Sequence, residues 1–285
     1  MLRSLSPRRR LFLLAVLLLT VVGTLAGLLV GLRPGEIAKP RQGPVPVVLV
    51  HGYDGTPATL GALAARLRGA GRRVMTVELP DRGTGDIEVS AGVLTRTVDA
   101  TGAGRVDLVG YSAGGIVVRD YLGQPGRASR TRHVVLLGTP NHGAQLAGLA
   151  SMLGPQLCDG ACAQLAPDSP LLQRLNRLTG GLEFPAGPDV TSIWTARDRT
   201  VTPPTSAVLA GARNIRLQDV CADSVAGHGD LLRDPLALGL VERAVDGELT
   251  RQPGPGDCTA LRATGASAGS ARPRTPTGRD GPLSS

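Results

Sequence analysis

Short strand-like runs alternate with segments of helical periodicity between residues 45 and 250. The stretches Val47–Val50 and Val134–Leu137 are unbroken apolar runs, which is typical of strands buried on both faces of a sheet. This alternation predicts an α/β fold with a mostly parallel central sheet and helices on both of its faces. We predict strands over residues 44–50, 73–77, 106–109, 133–137, 191–195 and 214–218. Helices are predicted to begin near residue 56 and end at 69–71, and to cover residues 89–100, 115–122 and 234–246.

The first 32 residues have the layout of a targeting segment. Four arginines within the first ten residues precede an uncharged apolar run from Leu11 to Leu32. A run of this length is sufficient to cross a bilayer, and the basic residues before it favour a cytoplasmic N-terminus. The sequence therefore predicts a cleaved signal peptide or an uncleaved signal anchor at residues 1–32, followed by a Pro/Gly linker at 33–44. In both cases we expect the domain outside the cytoplasm, either secreted or anchored to the membrane by this segment.

Two other segments depart from the alternation. Residues 144–188 carry no strand signal and predict a lid-like insertion of short helices and loops. Residues 251–285 are rich in Gly, Ala, Ser, Thr, Pro and Arg, which predicts a low-complexity, mostly disordered tail except where Cys258 ties it down. The α/β domain is accordingly expected over residues 45–250.

The net charge of +8 does not point to a nucleic-acid partner. The excess of basic residues lies in 1–41 and 251–285, which leaves the predicted domain nearly neutral. Aromatic residues make up only 2% of the chain, too few for the platforms on which bases stack. We therefore expect the domain to bind no nucleic acid. We also expect it to be a monomer.

The chain has four cysteines, an even number that suggests disulfides in an exported protein. Cys158 and Cys162 are close enough in sequence to close a small loop, which leaves Cys221 to pair with Cys258. Two other pairings are formally possible, and buried free thiols are the alternative. Because no Cys-x-x-Cys motif is present, we predict no metal site and no cofactor.

The segment Gly110–Gly114 has the sequence and surroundings of a nucleophile elbow. An apolar run precedes it and a helix-like run follows it, so that Ser112 would lie at the tip of a sharp strand-to-helix turn. The tail repeats the pattern at Gly265–Gly269, but without a strand before it or an amphipathic helix after it. We therefore predict Ser112 as the nucleophile and Ser267 as a chance match.

A serine nucleophile needs a histidine base and an acid that orients the base. In elbow enzymes the chain order is serine, acid, histidine. His228 lies in a loop after the last predicted strand, and Asp198 follows the strand before it. We predict His228 as the base and Asp198 as the acid, with Asp219 and Asp223 as competing candidates.

The oxyanion formed in acyl transfer needs backbone N–H donors that are already in place. One is predicted at Ala113, directly after the nucleophile, and one in the loop after the first strand. In that loop the Tyr53 N–H is preferred and the Asp54 N–H is the alternative. His51 and His142 are expected to brace loops through hydrogen bonds and not to bind metal.

Several of these segments, taken in order, resemble the bacterial lipases and esterases of the α/β-hydrolase superfamily, in particular the small secreted triacylglycerol lipases of the class 2 type. The resemblance covers about residues 45–246. Many of these lipases have histidine directly before the nucleophile, where this chain has Tyr111. The matching segments are VLVHGY at 48–53, VDLVGYSAGG at 106–115, GTPNHG at 138–143, LAPDSPLL at 165–172 and HGDLL at 228–232.

The resemblance implies an α/β-hydrolase fold and a serine hydrolase that cleaves carboxylic esters, with acyl lipids as the expected substrates. Two alternatives stay open. The same residues would serve an acyltransferase or a thioesterase, and the fold would also serve a non-catalytic binding module tethered to the membrane.

Overall fold

The central sheet determines where every candidate residue lies. The computed structural model describes residues 44–145, 158–177 and 180–267, and six strands of this part of the chain form one parallel sheet. The strand order is β2-β1-β3-β4-β5-β6. The chain adds β2 on one side of β1 and then crosses over to add β3 and the later strands on the other side. The strands are β1 (Val47–Val50), β2 (Val74–Val77), β3 (Val106–Tyr111), β4 (Thr131–Leu137), β5 (Asp189–Trp194) and β6 (Arg213–Arg216).

Helices pack on both faces of the sheet and bury two apolar clusters. Side chains alternate along β1, so that Val48 contributes to one cluster and Leu49 to the other. The cluster that contains Val48 is the first cluster, and α2 and α3 cover that face of the sheet. The cluster that contains Leu49 is the second cluster, and α1, α7 and α8 cover that face. This arrangement confirms the predicted fold class. The helices are α1 (Gly61–Gly69), α2 (Ile87–Ala100), α3 (Ala113–Gly123), α4 (Ala161–Gln164), α5 (Pro170–Leu175), α6 (Leu217–Val220), α7 (Pro235–Val245) and α8 (Cys258–Ala266).

Two element boundaries differ from the predicted ones, one because of a helix cap and one because of burial. Helix α2 begins at Ile87, two residues before the predicted start, because the Asp86 side chain accepts a hydrogen bond from the Val89 N–H. The last strand was predicted to reach residue 218 but ends at Arg216. A helical turn replaces its end because it buries Leu217 and Val220 together in the second cluster.

The tail predicted to be mostly disordered from residue 251 is folded over residues 251–267, around Cys258, the residue that was expected to tie it down. Helix α8 packs against α7, and Leu261 at its centre is only 4% exposed. Glycines at the contact allow the two backbones to approach closely: a Cβ on Gly265 would overlap the Pro235 carbonyl oxygen, and one on Gly239 would overlap the Leu261 carbonyl oxygen. The composition that suggested low complexity therefore includes the small residues that this helix contact requires. Residues 268–285 lie outside the described residues.

Adding a methyl group at this contact should destabilise the protein. We expect Gly265→Ala to lower the free energy of unfolding by about 1–3 kcal/mol, the typical cost of overpacking, although alanine is the better helix former. Gly123→Ala is the matched control, because an added Cβ meets nothing within 4 Å at that helical position. Thermal denaturation followed by circular dichroism should show a lower Tm for Gly265→Ala alone. Equal melting temperatures for the two variants would contradict the packing argument.

Besides the tail, three of the sequence predictions fall partly or wholly on residues that the structure does not describe. The targeting segment 1–32 and residues 33–43 of the linker lie outside the described residues, as do residues 146–157 and 178–179 of the insertion. The described part of the insertion contains the two short helices α4 and α5. Within the described ranges, no helix has both the length and the apolar character that crossing a membrane requires.

The cysteines of the described residues form two disulfides, Cys158–Cys162 and Cys221–Cys258, with Cα–Cα distances of 4.9 Å and 5.2 Å. This is the pairing favoured by their spacing. The first disulfide closes the turn that leads into α4, and the second joins the loop after α6 to the first residue of α8.

Candidate active site

Ser112 lies between β3 and α3 in a backbone conformation that few residues adopt. Its φ of 53° and ψ of −129° are those of a sharp turn, and its N–H donates to the Leu137 carbonyl oxygen at 2.9 Å. The two flanking positions must be glycine because other backbone segments lie too close for a side chain. A Cβ on Gly110 would come within 2.5 Å of the Gly115 Cα, and one on Gly114 would overlap the carbonyl oxygen of Val50. The strained turn therefore presents the hydroxyl at the carboxyl end of the sheet, as the elbow sequence predicts.

His228 and Asp198 meet Ser112 at this edge. The Ser112 Oγ lies 3.0 Å from His228 Nε2, and His228 Nδ1 lies 2.6 Å from Asp198 Oδ2. The side chains of His228 and Asp198 are 9% and 3% exposed, so water does not compete for these contacts. In this geometry Nδ1 donates to the carboxylate and Nε2 is able to accept the serine proton.

The Asp198 carboxylate is itself held in place by backbone donors. Its Oδ1 accepts hydrogen bonds from the Thr200 N–H at 2.9 Å and the Val201 N–H at 2.8 Å, which leaves Oδ2 to face His228. The competing acids are engaged elsewhere on the surface. Asp219 pairs with Arg216, and Asp223 pairs with Arg262. Of the three acids, the structure brings only Asp198 to the histidine.

Tyr111 contacts the histidine from the side, a role that the sequence analysis did not assign. Its ring lies 5.1 Å from the His228 ring, and its hydroxyl donates to the His228 carbonyl oxygen at 3.3 Å. Burial raises the pKa of the Tyr111 hydroxyl, and the nearby Asp198 charge raises it further, so the phenol stays protonated and remains a donor. Its position directly before the nucleophile was the only sequence signal for this contact.

The loop after β1 lies against the nucleophile on the other side. A Cβ on Gly52 would meet Ser112 Cβ at 2.8 Å and Ser112 Oγ at 3.4 Å, so only glycine fits there. Tyr53 follows Gly52 in this loop, and Ala113 is the first residue of α3, where backbone N–H groups have no partner within the helix. The structure thus brings both segments that carry the predicted oxyanion donors to Ser112. Donation by the Tyr53 and Ala113 N–H groups stays a prediction.

His51 and His142 make loop-bracing hydrogen bonds. His51 is 1% exposed, donates from Nδ1 to the Gly52 carbonyl oxygen at 2.9 Å, and accepts the Leu79 N–H on Nε2 at 3.3 Å. Burial lowers the pKa of His51, which keeps it neutral in this role. His142 Nε2 lies 2.9 Å from Glu183 Oε1. Both histidines therefore stabilise loops at the carboxyl edge of the sheet.

One group of side chains in the described residues has the composition of a metal site. The ligand atoms of Cys221, Asp223 and Cys258 lie within 4.8 Å of one another. Both sulfurs belong to the Cys221–Cys258 disulfide, and the Asp223 carboxylate is paired with Arg262. A disulfide sulfur is not a thiolate ligand, so the closeness of these atoms is explained by the covalent bond and the ion pair.

Comparison with known proteins identifies the family and the fold of the chain. The family model described as the alpha/beta hydrolase family matches residues 47–271, which is more than half of the chain. Among solved structures, Aspergillus fumigatus lipase B is similar with a TM-score of 0.61 and 20% identity over 81% of this chain. The esterase from Exiguobacterium antarcticum has a TM-score of 0.52 and 18% identity over 70% of this chain and 91% of its own.

These structural likenesses concern the fold and leave the reaction undecided. The chain spans only 63% of the length of the Aspergillus lipase. A bromoperoxidase from Bacillus anthracis is also similar, with a TM-score of 0.50 and 17% identity over 73% of this chain and 93% of its own. Since one fold carries different reactions, the reaction depends on the side chains of the site.

Proposed function

The chain belongs to the alpha/beta hydrolase family, and from this premise we propose that it is a serine hydrolase that cleaves carboxylic esters through an acyl-enzyme on Ser112. The observation that carries the proposal is the chain of hydrogen bonds from Ser112 Oγ to His228 Nε2 at 3.0 Å and from His228 Nδ1 to Asp198 Oδ2 at 2.6 Å. A hydroxyl, a base and an orienting acid in this arrangement are what nucleophilic acyl transfer requires.

In the proposed mechanism, His228 Nε2 takes the hydroxyl proton while Ser112 Oγ attacks the ester carbonyl carbon. The carbonyl oxygen becomes an oxyanion and accepts hydrogen bonds from the Tyr53 and Ala113 N–H groups, each of which would contribute about 3–4 kcal/mol to the transition state. His228 then gives its proton to the leaving alcohol. Water, deprotonated by His228, attacks the acyl carbon; the bond from that carbon to Ser112 Oγ then breaks, Ser112 Oγ takes the proton back from His228, and the acid is released. Asp198 fixes the tautomer of the neutral imidazole and stabilises the imidazolium when it forms.

The substrate class and the location of the protein belong to the same proposal. Acyl lipids are the proposed esters, in line with the names of the lipase and esterase that share the fold. The two disulfides of the described residues fit an oxidising, extracytoplasmic compartment. The protein acts there as a monomer, either secreted or held at the membrane by residues 1–32 if these are not removed.

Covalent labelling tests the proposal directly. A fluorophosphonate phosphonylates an activated serine, and its leaving group departs with the help of the same base and oxyanion donors. We expect one modified residue, Ser112, when the folded protein is digested and its peptides are mapped by mass spectrometry. Labelling should be prevented by prior incubation with a slowly hydrolysed ester.

Two results would contradict the proposal. Folded protein that takes up no label, and that turns over no p-nitrophenyl ester, would favour a non-catalytic binding module. Acyl transfer to an added alcohol in strong preference to water, measured by product analysis, would indicate an acyltransferase.

A further inference from the structure

The loop that carries His228 is held on one side by the end of β5 and by α6. This loop comprises residues 221–228 and runs from the end of α6 to the histidine. The Thr195 hydroxyl, at the end of β5, donates to the Ala226 carbonyl oxygen at 2.7 Å. Gln218 Nε2 donates to the Ser224 carbonyl oxygen at 3.1 Å. These contacts hold the middle and the end of the loop, close to His228.

Helix α8 holds the beginning of the same loop at two points. Cys258 is joined to Cys221 by the second disulfide. One turn further along the helix, the two Nη atoms of Arg262 donate to the two carboxylate oxygens of Asp223, each at 2.9 Å. Residues four apart lie on the same face of a helix, so one face of α8 engages the loop through a covalent bond and a bidentate ion pair.

Helix α8 is in turn fixed to the body of the domain. Leu261 is buried in the second apolar cluster, and the Gly239–Gly265 contact sets the helix directly on α7. Arg66 of α1 donates to the carbonyl oxygens of Thr264 at 2.6 Å and Ser267 at 2.7 Å. The helix is therefore a firm support, and the position of the loop depends on it.

We propose that α8 positions the His228 loop for catalysis through Cys258 and Arg262, which makes these two residues positioning residues for the ester hydrolysis proposed above. The inference rests on that proposed function. Proton transfer requires His228 Nε2 to stay at hydrogen-bond distance from Ser112 Oγ, and a misplacement of about 1 Å lowers a rate by as much as ~100-fold. A helix that served stability alone would change the melting temperature and leave the rate of the folded enzyme unchanged.

Steady-state kinetics on matched variants separate the two roles. The variants are Cys221→Ser with Cys258→Ser, Arg262→Gln and Arg262→Lys, measured on a soluble p-nitrophenyl ester well below the melting temperature of each. We expect kcat to fall about 10- to 100-fold in the double cysteine variant and about 2- to 10-fold in Arg262→Gln, with KM unchanged. Arg262→Lys should recover part of the loss, because it restores the charge but not the bidentate geometry.

Arg127→Gln is the control for Arg262→Gln. Arg127 also forms a two-pronged ion pair, with Asp99 at 2.7 Å and 3.3 Å, but it does so at the opposite end of the sheet from the His228 loop. The kcat of Arg127→Gln should equal that of the unmodified enzyme. The rate at which a fluorophosphonate labels Ser112 should fall in parallel with kcat in the α8 variants and stay constant in this control.

Folded α8 variants with unchanged kcat and a lower Tm would overturn the positioning role and leave the proposed function intact. If the double cysteine variant does not fold, Arg262→Gln and its partial recovery in Arg262→Lys decide the question alone. An unmodified protein that neither takes the label nor hydrolyses the ester would overturn the proposed function itself, and the positioning role with it.

Discussion

Replacing Ser112 with alanine should lower kcat for p-nitrophenyl esters by about 10⁴-fold or more, because the substitution removes the only atom that forms the acyl-enzyme. The rate that remains would come from the oxyanion donors and from substrate binding, which act without the nucleophile. The fold should be retained. Alanine keeps the Cβ of serine and loses only the hydroxyl, and the backbone hydrogen bond from residue 112 to the Leu137 carbonyl oxygen does not involve the side chain.

The second pentapeptide of the chain provides the control for this experiment. Ser267 occupies the same place in Gly265–Gly269 as Ser112 does in Gly110–Gly114, but it lies exposed at the end of α8. Ser267→Ala should leave kcat and KM unchanged. Equal activity in Ser112→Ala and the unmodified enzyme, with both proteins folded, would show that the elbow serine is not the nucleophile.

The sequence was sufficient to predict which side chains the fold brings to Ser112, because local patterns set their positions. The apolar strand before Gly110 and the helix after Gly114 distinguish the elbow from its copy in the tail. The carboxyl ends of parallel strands meet at one edge of the sheet, so the position of Asp198 after β5 and of His228 after β6 predicts that they meet Ser112 there. The order of elements along the chain therefore carries most of the site.

The sequence was insufficient where long-range packing decides the outcome. Helix α8 has one large apolar residue, Leu261, and its stability depends on α7, on the disulfide to Cys221 and on Arg66. Cys221 and Arg66 are both remote from the helix in sequence. The buried Arg119 is a second example. The residue is 2% exposed, and its guanidinium donates to the carbonyl oxygens of Asn141, Leu175 and Glu183. No periodicity encodes such contacts, because their partners come together only in the folded chain.

Asp198→Asn should be nearly as damaging as loss of the nucleophile, with an expected fall in kcat of about 10⁴-fold. The reason lies in the two backbone N–H groups that face Oδ1, those of Thr200 and Val201. The asparagine oxygen must stay there to accept them, which turns the amide NH₂ toward His228 Nδ1. An NH₂ group cannot accept a proton, so Nδ1 must become the acceptor and the imidazole proton moves to Nε2. A protonated Nε2 cannot take the proton of Ser112.

Asp219→Asn tests whether the effect is specific to the acid that faces the histidine. Asp219 lies in the same region of the chain, but it is an exposed partner of Arg216, and an exposed ion pair contributes about 0–1 kcal/mol to stability. Its kcat should stay within about twofold of the unmodified enzyme, since no step of the chemistry uses it. A large loss in Asp219→Asn with little loss in Asp198→Asn would transfer the role of the acid to Asp219 in α6. In that case the backbone donors around Asp198 Oδ1 would serve only to shape the turn after β5, and His228 would have to reach a different carboxylate in the active enzyme.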